Sequence, residues 1–134
     1  KFTNLQSALG LAQLKNLNKR IKILKNNYMF YKKNLRQNEN IKLFGFDLKN
    51  GELPLWTDIY CLKRNKLFHF LRKKGINARY FWHPLNITKP FKKSFSGLEN
   101  SKFYYKKLMW LPSSLTLKNK QLKKICDAIN EFYS

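Results

Sequence analysis

Leu14, Leu17, Ile21, Leu24, Tyr28, Tyr31 and Leu35 recur at alternating spacings of three and four, the period that puts side chains on one stripe of a helix. Lys15, Lys19, Lys22, Lys25 and Lys32 fall mostly off that stripe. The pattern predicts one long helix from Asn4 to about Arg36, opened by Thr3 or Asn4, whose side-chain oxygen can accept from an orphan amide of the first turn. The first turns differ from the rest. Leu5, Ala8, Leu9, Gly10 and Ala12 make a surface of small residues and leucines that suits close helix contact. The stripe is short and lacks the alternating flanking charges of a coiled coil, so the helix is expected to lie across its own domain.

After it the period shortens. Ile41 to Phe46 is a strand candidate, and Asn50-Gly51 a turn after it. Leu53 to Leu62 is a second strand, opening at Pro54 and alternating through Trp56, Thr57, Asp58, Ile59 and Tyr60. Arg64 to Lys74 reads as a helix with Leu67, Phe68, Phe70 and Leu71 inward and Gly75 closing it. A third strand covers 77–82. Ser96 to Met109 is ambiguous: Leu98, Tyr105, Leu108 and Met109 suit a helix that Pro112 ends. Thr116 is a good N-cap for a final amphipathic helix carrying Leu122, Ile125, Cys126, Ile129 and Phe132. The sum is an α+β domain: a long N-terminal helix and a small, mostly antiparallel sheet from 41–46, 53–62 and 77–82, with helices packed on one face. Leu67, Leu71, Ile125 and Ile129 are expected in its core.

Composition narrows the class. At 134 residues the chain is one domain with a modest core, and 43% hydrophobic content is too high for a disordered segment. No apolar run approaches the ~20 residues of a membrane span. No signal peptide is visible, and the chain enters directly on Lys1 without a Met, as expected of a piece of a longer protein. The net charge of +21 suggests a polyanion such as nucleic acid. Yet lysine outnumbers arginine 23 to 5, the lysines are spread along the whole chain, and asparagine is abundant. AT-rich coding produces that bias without any nucleic-acid partner, and a phosphate-bearing small substrate would equally welcome the field. Cys61 and Cys126 lie far apart with no CxxC spacing and no His cluster, which argues against zinc and for buried free thiols. His69 has no carboxylate at helical spacing and reads as packing or surface.

The densest chemistry lies between Gly75 and Phe91, GINARYFWHPLNITKPF. Arg79 precedes four consecutive rings, Tyr80, Phe81, Trp82 and His83, and a proline turn. Such a stretch is either the wall of a ligand pocket, where apolar surface carries a few placed polar groups, or a core strand running into a loop. It resembles the C-terminal part of the DegT/StrS-type sugar aminotransferases, which have a Gly-Ile, a Thr-Arg-Pro or similar, aromatics and a Pro-Leu-His. The counterparts are Gly75-Ile76, Ala78-Arg79-Tyr80, Phe81-Trp82 and Pro84-Leu85-Asn86. Two further stretches carry the resemblance. Asn4 to Leu14, NLQSALGLAQL, is similar to the family's Leu-Gln-Ala-Ala-Leu-Gly-Leu-Ala-Gln-Leu, and Leu111-Pro112 with Leu115-Thr116 to its closing Leu-Pro, Leu-Thr and helix.

The resemblance implies a small domain from the C-terminal end of a pyridoxal-phosphate-dependent enzyme of fold type I. Such an enzyme transfers an amino group, usually from glutamate, to a keto-sugar attached to a nucleotide. It implies that the Schiff-base lysine and the Asp that pairs with the pyridine nitrogen lie upstream, in a large domain, so that this segment alone is inactive. It places Lys1 where the family has an arginine that reaches the cofactor phosphate of a neighbouring subunit, and so implies a homodimer; the complete protein is expected in the cytoplasm. It makes Arg79, Trp82, His83 and Asn86 the candidate substrate contacts, with the planar guanidinium of Arg79 suited to phosphate or carboxylate. Asn86 stands in the position of the family's usual histidine. It can donate a hydrogen bond but cannot carry charge or move a proton, which leaves a non-catalytic relative as one alternative and a nucleic-acid-binding module as another.

Overall fold

A computed structural model describes residues 2–91 and 97–134. Lys1 lies outside the described residues, as does Ser96 at the start of the ambiguous segment. The elements are α1 (Asn4–Leu14), α2 (Leu17–Asn34), β1 (Ile41–Leu43), β2 (Thr57–Cys61), α3 (Arg64–Lys73), β3 (Arg79–Tyr80), α4 (Glu99–Tyr105), β4 (Leu108–Leu111) and α5 (Asn119–Phe132), with short 3-10 turns at Leu85–Ile87 and Lys89–Phe91.

The expected long helix is two helices. Thr3 does cap the first: its hydroxyl accepts from the Gln6 amide, and the Gln6 side chain accepts from the Thr3 amide at 2.9 Å. The helix tightens at its end, where Asn16 N–H bonds to Gln13 O, and Asn16 leaves helical geometry (φ −102°, ψ 4°). An asparagine competes for local backbone groups and interrupts helices readily. Here nothing opposes the break, because α1 buries no residue against the chain. The predicted stripe therefore works only in its second half: Tyr28, Tyr31 and Leu35 are buried, whereas Leu14 and Leu17 are exposed.

The sheet runs β1-β2-β4-β3 with every pair antiparallel. Its inner strand β4 falls where the sequence pattern suits a helix. Leu108, Met109, Trp110 and Leu111 are all buried, and a strand covered on both faces shows no alternation from which to tell it from a buried helix. The helical part of that segment ends at Tyr105. The other strands are shorter than their patterns: β1 stops at Leu43, β2 starts at Thr57 and β3 has two residues.

Register sorts the side chains. Ile41, Thr57, Ile59, Cys61, Met109 and Leu111 share one face, and α2, α3 and α5 close over it to form the core, with Leu67, Leu71, Ile125 and Ile129 buried there as expected. Lys42, Asp58, Tyr60, Trp110 and Arg79 share the other face, which these three helices leave open. Gly75 ends α3 at φ 73°, with Gly75 N–H bonded to Arg72 O and Ile76 N–H to Leu71 O, the paired closure that favours glycine. Thr116 does not cap the last helix. That helix begins at Asn119, Gln121 Oε1 accepts from Lys118 N–H at 2.8 Å, and the Thr116 hydroxyl meets that of Ser114.

Buried polar groups knit the layers. The Tyr31 hydroxyl donates to Pro112 O at 2.7 Å, the Tyr28 hydroxyl to Phe44 O at 3.0 Å, and Asn27 Nδ2 to Ser114 O at 3.2 Å. Cys61 and Cys126 are buried free thiols, and burial pushes both up to about 12. Among the described residues no helix is long and apolar enough to cross a membrane, and no cluster of His, Cys, Asp or Glu could hold a metal ion.

Candidate functional site

Gly75 turns the chain back along the sheet edge, where β3 pairs with β4. Arg79 and Tyr80 point to opposite sides of the sheet, and the four rings that follow Arg79 part company. Tyr80 goes to the helix side, stacked on Phe68 at 4.3 Å and with the Arg64 guanidinium 4.3 Å from its ring centroid. Phe81 and Trp82 go to the open face, and both pack on Trp110, at 5.7 and 4.7 Å between ring centroids. Trp56 lies flat on Trp110 from the β2 side, at 5.2 Å and 13°. His83 sits 5.6 Å from the Tyr105 ring of α4.

Between this wall and α4 runs an open groove of about 1020 Å³. Tyr60 forms part of its floor, Phe81, Trp82 and His83 one side, and Phe103, Tyr104 and Tyr105 the other, with Glu39 and Lys42 also lining it. The mixture is mostly aromatic with few polar groups, as in sites for organic ligands. Trp82 is 61% exposed and Tyr80 38%; His83 is exposed as well. An uncovered ring as large as Trp82 marks a ligand or contact surface better than scattered leucines do.

The groove brings together Trp82 and His83 but leaves out the other candidates. Arg79 lines a separate pocket of about 280 Å³ with Phe68 and Arg72. It is exposed and forms no ion pair among the described residues. Asn86 is half-buried in the turn Leu85–Ile87 and does not line the groove. His69 is exposed on α3, beside the Phe68 ring. Sequence reasoning missed Trp56, Tyr60 and Trp110. Their convergence depends on β4 being an inner strand, and the apolar run gave no sign of that.

Asp58, which the sequence marks only as one position in an alternating strand, faces Trp110 across β2 and β4 and is half-buried. Burial pushes its carboxyl up, and the nearby indole N–H pulls it down with less effect. Asp58 Oδ1 and Trp110 Nε1 are both buried, and neither makes a hydrogen bond of ordinary geometry.

Known proteins share this fold. The sequence matches the DegT/DnrJ/EryC1/StrS aminotransferase family over residues 1–130. No curated protein matches it significantly. The structure is similar to a DegT DnrJ EryC1 StrS aminotransferase from Brucella abortus (21% identity, TM-score 0.82, 100% of this chain and 36% of that one). It is also similar to PseC of Helicobacter pylori, an aminotransferase involved in the biosynthesis of pseudoaminic acid (18%, 0.81, 98% and 37%), and to AtS13 from Actinomadura melliaura (20%, 0.83, 97% and 35%). The chain thus spans about a third of the length of these structures. At such identities the structural likeness is one of fold, and the family match rests on the sequence itself. Covering almost every residue, that match makes the chain a member of the DegT/DnrJ/EryC1/StrS aminotransferase family.

Proposed function

We propose that the chain is the smaller, C-terminal domain of a cytoplasmic, homodimeric aminotransferase that uses pyridoxal phosphate to move an amino group from glutamate to a keto-sugar carried on a nucleotide, for an amino-sugar of a surface polysaccharide. The family match and the one-third coverage support the domain assignment. The observation that carries the site is the groove: exposed rings on the sheet face that α2, α3 and α5 do not cover. A second protein surface across it would turn an open groove into a closed pocket.

The described residues do not fit the cofactor by themselves. The lysines drawn closest to the protein body are already engaged: Lys25 with Leu48 O, Lys74 with Glu131, and Lys107 over the Phe103 ring. No described lysine is enclosed in the groove, where Lys42 is exposed. The Schiff-base lysine and the principal cofactor contacts are therefore assigned to a large domain, and Lys1 is kept as a contact to the cofactor phosphate in the partner subunit. This chain's own contribution is placement. Trp82 and the tyrosines of α4 exclude water, His83 offers a hydrogen bond to a sugar hydroxyl, and Lys42 supplies positive charge for a phosphate. Arg79 stands outside the groove with its fork unpaired among the described residues, able to meet an anionic group brought by the substrate or the partner domain. Asn86 sits one turn beyond and bears on sugar preference.

The test is amino transfer by the complete protein, with glutamate and a panel of nucleotide-linked keto-sugars, read by mass of the product. Turnover of one of them, lost on removal of pyridoxal phosphate, is expected. The 134-residue chain alone should show neither turnover nor a cofactor absorbance band that survives dialysis. A complete protein inactive on every nucleotide-linked keto-sugar overturns the substrate class, and activity in the isolated chain overturns the domain assignment.

A further inference from the structure

We propose that Asp58 is the positioning residue of the tryptophan wall, fixing the Trp110 indole on which both Trp82, which lines the groove, and Trp56, which lies outside it, are packed. Asp58 and Trp110 are directly opposed on β2 and β4 and share the open face of the sheet. Each has one buried polar atom with no hydrogen-bond partner, Oδ1 and Nε1. An indole N–H can only donate, and a carboxylate oxygen can only accept. The terminal torsion of a tryptophan is broad, and its alternative ring settings pack apolar surface similarly. The N–H tells them apart, and the unpartnered Asp58 carboxylate on the opposed strand is the acceptor that favours one setting. Trp110 is 7% exposed, while Trp56 and Trp82 are 48% and 61% exposed and both rest on it. The setting of the one buried ring therefore decides where both outer rings stand. That the wall serves a substrate rests on the function proposed above; that Asp58 sets the wall does not.

The charged and titratable groups facing Asp58 are few. In its own row Trp110 is followed by Arg79 on β3, and one row along the same face lie Tyr60 on β2 and Lys42 on β1. Just beyond β1, Phe44 donates its backbone N–H to the Asp58 carbonyl and brings no charge. Burial holds the carboxyl above its ordinary range, so its titration falls at higher pH than that of an exposed aspartate.

All 3 tryptophans of the chain belong to this cluster, so tryptophan emission and the near-ultraviolet tryptophan bands of the 134-residue chain report on the wall alone. Wild type, Asp58→Asn and Asp58→Ala are compared from about pH 4 to about pH 8, across and above the carboxylate range. Wild-type emission should shift with pH. Asn, which keeps an acceptor but cannot ionise, should retain the near-ultraviolet bands at neutral pH and lose the pH shift. Ala should lose the bands and increase iodide quenching. Should Ala fail to fold by far-ultraviolet circular dichroism, Asn decides. A pH shift that survives in Asn, or bands and quenching unchanged in Ala, overturns the proposal. In the complete enzyme Ala should raise KM for the sugar with kcat little changed. If the spectra behave as expected but no sugar is aminated by any form, the function reading fails and the positioning role stands.

Discussion

Tyr31 offers a clean perturbation because its ring and its hydroxyl do separate jobs. The residue is fully buried, and its oxygen donates to the Pro112 carbonyl at 2.7 Å, tying α2 to the chain just after β4. Tyr31→Phe keeps the ring and removes only the oxygen. A net hydrogen bond contributes about 0.5–1.5 kcal/mol, and a buried carbonyl deprived of its donor costs about 1–3 kcal/mol. Burial is complete enough that water does not replace the lost donor, so the expected destabilisation is about 2 kcal/mol. For a chain of this length that corresponds to roughly 6–12 °C in Tm. The urea midpoint should fall at unchanged slope, which separates a native-state loss from a change in the denatured chain. The alkaline limb gives an independent readout. Burial, with Cys126 adding to it, pushes the Tyr31 phenol well above its ordinary range. The folded state keeps the proton where the unfolded state releases it, so wild-type stability is present below about pH 10 and falls as pH rises beyond it. Phe should weaken that slope, leaving the share of Tyr133, which burial also raises. A Tyr31→Phe protein as stable as wild type would mean that the bond to Pro112 contributes nothing to the native state.

Gly75 sits at φ 73°, and a methyl group on its Cα would meet no atom within 4 Å. Gly75→Ala should therefore cost only backbone strain, about 1–2 kcal/mol, less about 0.4–1 kcal/mol gained from a stiffer unfolded chain; a urea melt with no net loss would contradict this. The thiols of Cys61 and Cys126 are buried and held neutral until about pH 12. A maleimide at neutral pH should leave the folded chain unlabelled and label both residues once urea is added, as counted by mass. In the complete enzyme, Arg79→Ala should reduce sugar use by roughly tenfold to a hundredfold if a charge-assisted contact of about 1.5–3 kcal/mol is lost. Unchanged kinetics with a lower Tm would make Arg79 structural. Because α1 buries nothing and is shorter than the ~12–15 residues of a marginally stable free helix, its amides should exchange far faster than those of α5 in the isolated chain. Equal protection would show that α1 is held by contacts other than those described.

The parts of the fold legible in the sequence were those whose periodicity comes from facing one layer. Leu67 and Leu71 on α3, and Ile125 and Ile129 on α5, show a helical period because water lies on the far side. β4 lacks that contrast, since Leu108 to Leu111 are covered on both faces. The same lack of contrast hides the convergence of Trp56, Trp82 and Trp110. The break at Asn16 is equally invisible, for the leucine pattern runs across it without interruption, and only the lack of burial in α1 shows that those leucines belong to two separate helices. At the site, the ring stretch marks Trp82 and His83 correctly as neighbours of an open surface. It does not show that alternation along β3 sends Arg79 and Tyr80 to different sides, nor that Asn86 turns away. The proline turn and the glycine stop are legible because their causes are local.

The position of β4 in the chain has a consequence for synthesis. The strand on which the sheet closes is the last one made: β1 and β2 can pair as soon as residue 61 has emerged, but β3 bonds only to β4. Until Leu111 has emerged, the edge of β2 on that side is bare and Arg79–Tyr80 has no strand to join. α5, which closes the core over both, comes later still. Between the emergence of Cys61 and that of Leu111 the nascent domain thus carries an unpaired edge and an open apolar face, a state that invites association with other chains, and the long-range closure it awaits is the slow kind. Pausing the ribosome between α4 and β4 would hold the domain in its most aggregation-prone form.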